Sequence, residues 1–391
     1  MTPKSFYRRI EGELADLENS SLLREVPDMD HGAAKEIVFK GRDLLNLASN
    51  DYLGLAMDER LIQASAEAVR EYGCGAAASR LVTGNFRIYD ELERELASFK
   101  EQEDSMLFTS GYAANLAIMD SFAGRRTIVF SDKLNHASIL DGIRMSGARH
   151  VRYRHNDIKH LKKRMESAKD AQSRILITDT IFSMDGDLAN LEEIADICDF
   201  YDTMLVLDEA HAEGVFGGGK GIAHERGIVD RVDLHMGAFS KGFGSLGGAV
   251  SGRKELISYL RNKGRSFIFT TALPPAVIGA NLAALRIVAD DSSRGAKLLE
   301  MSRGLKNYLE FCGFDCGQSE SQIIPVILGD NETALAARDR LIEEGIYAAA
   351  IRPPTVPEGT ARLRLSLRAD LTEEDLQKIR NGFAGLKAGQ E

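Results

Sequence analysis

No apolar run in these 391 residues approaches the roughly 18 needed to cross a membrane as a helix. The opening stretch from Met1 to Ile10 has no apolar segment of the secretory kind, so no signal peptide is expected. A basic excess is missing too. Lys and Arg number 49 against 59 Asp and Glu, for a net charge of −10, which runs against a nucleic-acid partner. Cysteine is scarce: Cys74, Cys198, Cys312 and Cys316 are all there are. Cys312 and Cys316 lie close together, but no second pair completes a metal site. Reduced thiols in a cytoplasmic protein are the expectation. No internal repeat or low-complexity segment occurs. What remains is an ordinary globular composition, 44% hydrophobic and 28% charged. The length suits one large domain and a smaller one.

The stretch from Thr203 to Gly248 carries most of the chemistry. An apolar strand, Met204 to Leu207, ends in Asp208-Glu209-Ala210-His211. After a glycine-rich loop, a second apolar piece from Leu234 to Phe239 runs into Ser240-Lys241-Gly242-Phe243-Gly244. An acid and an imidazole thus end one strand, and a lysine ends another. In an open α/β sheet, ligands bind at the carboxyl ends of the strands. A lysine that forms a Schiff base, with an aspartate on the ring nitrogen, is what pyridoxal phosphate requires. A lone lysine reads more plainly as a solvated loop residue. Asp208 and His211 on a matching strand end turn the reading toward a cofactor site. Rival motifs are incomplete. Asp208 to His211 also spell the acidic motif of one helicase class. Gly214 to Lys220 nearly match a phosphate-binding loop, but Gly221 stands where Ser or Thr must hold magnesium. A zinc site on His211 lacks a second ligand at helical spacing, so no metal is expected.

Along the chain, Phe6, Ile10, Leu14 and Leu17 recur at helical spacing. A short strand follows near Leu44, then a helix from the N-cap Asp58 to Gly73. The small-residue loop from Gly73 to Asn85 holds one arginine, Arg80, which reads equally as a structural residue bonding the loop. A helix from about Ile88 to Lys100 precedes a strand, Ser105 to Thr109. Ser110-Gly111-Tyr112 then opens another helix. Its free N–H groups and dipole make an anion site suited to a cofactor phosphate; the plain alternative is an ordinary turn. Strands at Thr127–Ser131, Arg149–Tyr153 and Arg174–Ile181 alternate with helices. The pattern predicts an α/β fold with a mostly parallel sheet covered by helices on both faces. His136, Ser183, Asp208, His211 and Lys241 should then lie near one sheet edge. After Gly252 a long helical tract runs from Pro275 to about Phe311. Ile323–Leu328, Tyr347–Ile351 and the alternating Ala361–Leu367 suggest a small antiparallel sheet with one wet face. Thr372 to Asp375 resemble a capping box. We expect an N-terminal arm over 1–45, a large α/β domain over 46–286 and a smaller α+β domain over 287–391.

These motifs, in this order, resemble the α-oxoamine synthase family of fold-type-I pyridoxal-phosphate transferases. The resemblance rests on Ser49 to Gly54, Ser110 to Tyr112, Asn135 to Ser138, Phe182 to Asp187, Asp208 to His211, Ser240 to Gly244 and Thr270 to Pro275. It implies pyridoxal 5'-phosphate as cofactor and a homodimer with shared active sites. Lys241 would carry the cofactor and remove the substrate α-proton, with Asp208 on the pyridine nitrogen. His211 and Ser183 would contact the ring hydroxyl side, and His136 would stack on the ring. Gly111, Tyr112 and Ser240 would hold the cofactor, with Thr270 and Thr271 reaching its phosphate from the partner subunit. Arg352 would pair with the substrate carboxylate, and Arg24, Asn50, His136 and Thr355 match substrate-contacting positions. Ile351 to Arg364 most resemble the biotin-pathway member, which joins L-alanine to a pimeloyl thioester with loss of carbon dioxide. The alternative is glycine C-acetyltransferase or another member joining a different amino acid and acyl-CoA. A non-catalytic relative would lack the lysine or its aspartate, and both are present. Four departures stand out. Ala238 replaces a frequent phosphate-binding threonine. Gly75 to Ala78 replace a more glycine-rich run. Tyr89 stands where many members have histidine, and Arg80 has no assigned role.

Overall fold

The computed structural model describes residues 4–32, 34–168 and 171–388. Parts of the arm and of the C-terminal domain expected from sequence, residues 1–3, 33 and 389–391, lie outside the described residues. The chain divides into two compact units. One runs over Asn50–Ser183 and Asp187–Leu299; the other holds the residues before Asn50, Met184–Gly186 and the chain from Glu300 on.

A seven-stranded sheet is the frame of the first unit. Its order is Asp104–Phe108, Gly248–Gly252, Leu234–Ala238, Met204–Asp208, Ser173–Asp179, Thr127–Asp132, Arg149–Tyr153. The five strands from Leu234–Ala238 to Arg149–Tyr153 are parallel, and Gly248–Gly252 runs against both its neighbours. That strand, glycine-rich and lacking alternation, escapes a sequence reading. The central strands are continuous apolar runs because both faces are covered; Leu205, Val206 and Leu207 are fully buried. Helices start where the sequence provides a cap. Asp58 accepts the Arg60 N–H before the helix Glu59–Tyr72, and Ser110 accepts the Ala113 N–H at the head of Gly111–Phe122. Gly73, at φ 86°, closes the first of these.

In the second unit, the arm, read as a helix with one short strand near Leu44, carries two further strands that were not expected. After the helix Ser5–Asn19, strands Met29–His31, Glu36–Phe39 and Arg42–Asn46 form an antiparallel meander, and Ile346–Tyr347 pairs parallel with the last. Strands this short, broken by Gly32 and Gly41, leave too little alternation to read. A second sheet orders Ile323–Gly329, Ala361–Ser366 and Ala349–Ile351, all antiparallel. The sequence run Tyr347–Ile351 is thus split between two sheets. Ala361–Ser366 has no wet face. Arg362 is buried against the Asp185 carboxylate at 2.6 Å, and Arg364 donates to the Ser366 hydroxyl at 2.6 Å. Thr372 and Asp375 do cap the last helix reciprocally, at 2.8 and 3.2 Å.

Candidate active site

Because the strands are parallel, their carboxyl ends share one edge of the large unit's sheet, and Asp208 ends the central one. Its carboxylate is buried. Oδ2 accepts from Asn115 Nδ2 at 2.8 Å and Oδ1 from the Ala210 N–H at 3.0 Å. Asp179 stands directly beside it in register on the neighbouring strand, and is also buried. Burial raises the pKa of both carboxyls, and at Asp179 the Asp208 charge raises it further. Asn115 and the nearby His136 and Lys241 work in the opposite sense at Asp208. Neither Asn115 nor Asp179 was singled out from sequence. A lone amide in the otherwise apolar helix Gly111–Phe122 was the available signal.

His136 caps the helix Ala137–Ser146. Its Nδ1 lies 2.7 Å from Ser138 Oγ, and its backbone N–H donates to Asp179 at 2.7 Å. The ring is exposed, with the Tyr112 ring edge-on at 6.4 Å. Tyr112 in turn donates to Asp141. His211 is buried, and its Nδ1 meets the Tyr52 hydroxyl at 2.6 Å; that hydroxyl also lies 3.2 Å from Asn50 Oδ1. Asn50 and His211 are therefore joined through Tyr52, a link the sequence did not announce. Lys241 is half-buried just past the strand Leu234–Ala238, and its charge is felt at both Asp208 and Asp179. Ser240 beside it is exposed, and Ser183 is half-buried beyond the strand Ser173–Asp179. Gly111 and Tyr112 occupy the first turn of their helix, where N–H groups lack carbonyl partners. Thr270 and Thr271 follow the short helix Arg265–Ile268 at the surface.

Behind Asp208 and His211 lies a dry ionic cluster. Lys100, only 1% exposed, donates to Glu209 and to Glu213 at 2.9 Å each and to the Lys220 carbonyl. His235 Nδ1 lies 3.1 Å from Glu209 Oε2. Burial alone would raise Glu209, but Lys100 and His235 hold its pKa well below the carboxylate range. At Glu213 burial prevails and raises it. Two glycines make room for these acids. A Cβ at Gly237 would fall 1.9 Å from the Glu213 carboxylate, and one at Gly221 would fall 2.3 Å from that of Glu209.

A second ionic clamp fixes the loops beside the edge. His155 lies between two carboxylates, Nδ1 at 3.0 Å from Asp132 and Nε2 at 2.8 Å from Asp187. Burial would lower its pKa, but the bonds to Asp132 and Asp187 raise it to about 10. A histidine raised in the folded state gives its full stabilisation below the unfolded pKa of roughly 6.5 and loses it as pH rises toward the folded value. We therefore expect the stability gap between wild type and His155→Gln to shrink from about pH 6.5 to pH 10. The change should be on the order of 3 kcal/mol in denaturant melts. A gap constant over that range would show that His155 is neutral in the fold.

The predicted substrate residues Arg24, Arg352 and Thr355 lie in the smaller unit and are brought together there. Arg24 donates to Thr355 Oγ1 at 3.3 Å, and Arg352 donates to the Ser21 carbonyl. Burial and the charges of Arg338 and Arg24 lower the Arg352 pKa. Arg80 is structural. It binds the Glu93 carboxylate through both terminal nitrogens and Asn85 through Nε at 2.7 Å, and stacks over Tyr89. Lys220 of the glycine-rich loop pairs with Glu101, and only the four-residue helix Ile222–Glu225 follows it, so the loop does not build a phosphate cradle.

The family model of class I and II aminotransferases matches residues 42–383. The chain belongs to that family. Relatives bearing the name 8-amino-7-oxononanoate synthase include one from Bacillus cereus, 45% identical over 96% of this chain and 95% of its own. Another, from Geobacillus kaustophilus, is 49% identical over 87% and 88%. Among solved structures, a Sphingomonas wittichii serine palmitoyltransferase is similar at TM-score 0.93 and 31% identity, covering 100% of this chain and 98% of that one. A Francisella tularensis 8-amino-7-oxononanoate synthase is similar at TM-score 0.76 and 27% identity, covering 89% and 99%. Another similar structure, at TM-score 0.93 and 31% identity over 98% of each chain, is of SPT with PLP.

Proposed function

We propose that this chain joins L-alanine to a pimeloyl thioester, releasing carbon dioxide and giving 8-amino-7-oxononanoate, with pyridoxal phosphate as cofactor. The observation that carries it is the buried Asp208 carboxylate at a strand end, beside Lys241, in a chain whose like-named relatives match it almost end to end. The residues fit the cofactor. Two adjacent buried carboxylates call for a cation between the strand ends, and a helix N-terminus at Gly111 offers donors to a phosphate. When bound, pyridoxal phosphate supplies an electron sink for the carbanion at the amino acid α-carbon. Lys241 would hold the cofactor and move the α-proton of the substrate. Asp208 would face the pyridine nitrogen, and the Asn115 amide favours the ionised form of its carboxylate against the effect of burial. His211, oriented by Tyr52, and Ser183 would bind the ring oxygen, and His136 would cover the ring face. Ser240, with Thr270 or Thr271 from the partner subunit, would supply the phosphate contacts that Ala238 cannot make. Arg352 would take the amino acid carboxylate in a bidentate pair, and Arg24, Asn50 and Thr355 would bind the remainder of the substrates.

We also propose a homodimer. Leu81, Val82 and Phe269 are 54%, 75% and 73% exposed, on loops tied together by the Ala272 N–H to Ala78 carbonyl bond. Exposed apolar side chains near Thr270 support that reading. No helix among the described residues is long and apolar enough to cross a membrane. The four cysteines are free thiols, which suits the reducing cytoplasm.

Adding L-alanine to the holoenzyme should change its visible spectrum, with glycine and serine at least about tenfold weaker. One missing or added group in a pocket shaped for a methyl is worth roughly 10–200-fold. With a pimeloyl thioester, mass spectrometry should detect the eight-amino-seven-oxo product. A preference for glycine or serine would overturn the reading in favour of a sibling condensation.

A further inference from the structure

A hydrogen-bond chain runs from Asp208 to the His136 ring. Asn115 Nδ2 donates to Asp208 Oδ2 at 2.8 Å and to Ser138 Oγ at 2.9 Å; Ser138 Oγ lies 2.7 Å from His136 Nδ1. Directions along this chain are fixed by chemistry. The amide nitrogen of Asn115 is the atom that faces both Asp208 Oδ2 and Ser138 Oγ, and a carboxylate oxygen without a hydrogen can only accept from it. Both its hydrogens are then committed, one to Asp208 and one to Ser138. The Ser138 oxygen is an acceptor for Asn115, and its single hydrogen is left to point at His136 Nδ1. The Ser138 N–H also donates to that nitrogen, at 3.3 Å. With two donors aimed at it, Nδ1 has no place for a proton.

The other polar groups around His136 leave this chain intact. Asp179 takes the His136 backbone N–H at 2.7 Å, not the ring. Tyr112 meets the ring by its edge and gives its hydroxyl hydrogen to Asp141. Lys241 acts on Asp208 and Asp179 through its charge. Asn115 Oδ1 has no partner among the described residues although it is fully buried. Leaving a buried acceptor unpaired is costly. The amide is held in this orientation against that cost, which turning it to face a carboxylate with its oxygen would only exceed.

We infer that Asn115 and Ser138 are positioning residues that hold His136 as its Nε2–H tautomer, so that the exposed ring offers a donor to a substrate oxygen. The acceptor oxygen of Asp208 at one end sets the direction of the whole relay. The sheet edge thereby links Asp208 and His136, at the two ends of the relay, through two buried side chains. The use of that donor in catalysis rests on the proposed condensation; the tautomer itself does not.

Nitrogen-15 NMR on histidine-labelled apoprotein tests it, because no cofactor or substrate is needed. The signals of His136, one of eight histidines, are assigned by their loss in His136→Asn. The wild-type protein should show Nδ1 as an unprotonated nitrogen and Nε2 as a protonated one. In Ser138→Ala, which removes one buried atom and keeps the fold by circular dichroism, the two tautomers should mix. In the holoenzyme the same variant should lose about tenfold in kcat with KM for alanine nearly unchanged. A wild-type Nδ1–H signal, or a Ser138→Ala spectrum identical to wild type, overturns the inference. If Ser138→Ala does not fold, the wild-type signals alone decide. An enzyme inert to alanine that still shows Nε2–H would sink the proposed reaction and leave the tautomer standing.

Discussion

Lys241→Ala is expected to abolish the cofactor's visible band on reconstitution and to lower turnover by roughly 10⁴-fold, the upper end for removal of a proton-transferring group. The effect is large because nothing beside Lys241 can replace it. Ser240 is exposed and carries no base, and His136 is committed at Nδ1 to Ser138. The amine is placed where two buried carboxylates, Asp208 and Asp179, act on it by charge. The variant should fold normally, since Lys241 is only half-buried. An absorbance band that survives in Lys241→Ala, or turnover within about tenfold of wild type, would move the chemistry to another residue.

The largest expected loss of stability belongs to Lys100→Met. Removing the cation leaves the buried Glu209 and Glu213 without their shared counter-ion, and breaking a buried ion pair costs about 3–5 kcal/mol. Urea melts of apoprotein should show that loss. The double variant Lys100→Met with Glu213→Gln should recover part of it, because the uncompensated charge is then removed. A Lys100→Met protein as stable as wild type would mean that Glu209 or Glu213 protonates at little expense.

Much of this was legible in the sequence. The strand ends at Asp208 and Ala238, the turn at Ser110 and the caps at Asp58 and Thr372 follow from local rules that the fold obeys. The family emerged from motif order, and several of the motifs, those around Ser110, Asp208 and Lys241 among them, follow strands of the large sheet. Short strands at Met29–His31 and Glu36–Phe39 were hidden, since three or four residues carry no period. Lys100 was hidden for another reason. A lysine closing an amphipathic helix reads as a solvated cap, and only tertiary packing puts Glu209 and Glu213 over it. Asn115 and Asp179 were the true omissions. A lone amide in an apolar helix and a second acid in register with Asp208 are both readable once the sheet is assembled, and neither is readable before.

The space under the Glu213 carboxylate has a consequence for how such a chain can change over generations. Gly237 is held open because any side chain there would overlap the acid. Glu213 in turn shares Lys100 with Glu209. A lineage that fills position 237 first collides with the acid, and one that loses Lys100 first strands two charges. Positions 100, 213 and 237 therefore constrain one another, and a change at one is best accommodated by a change at another.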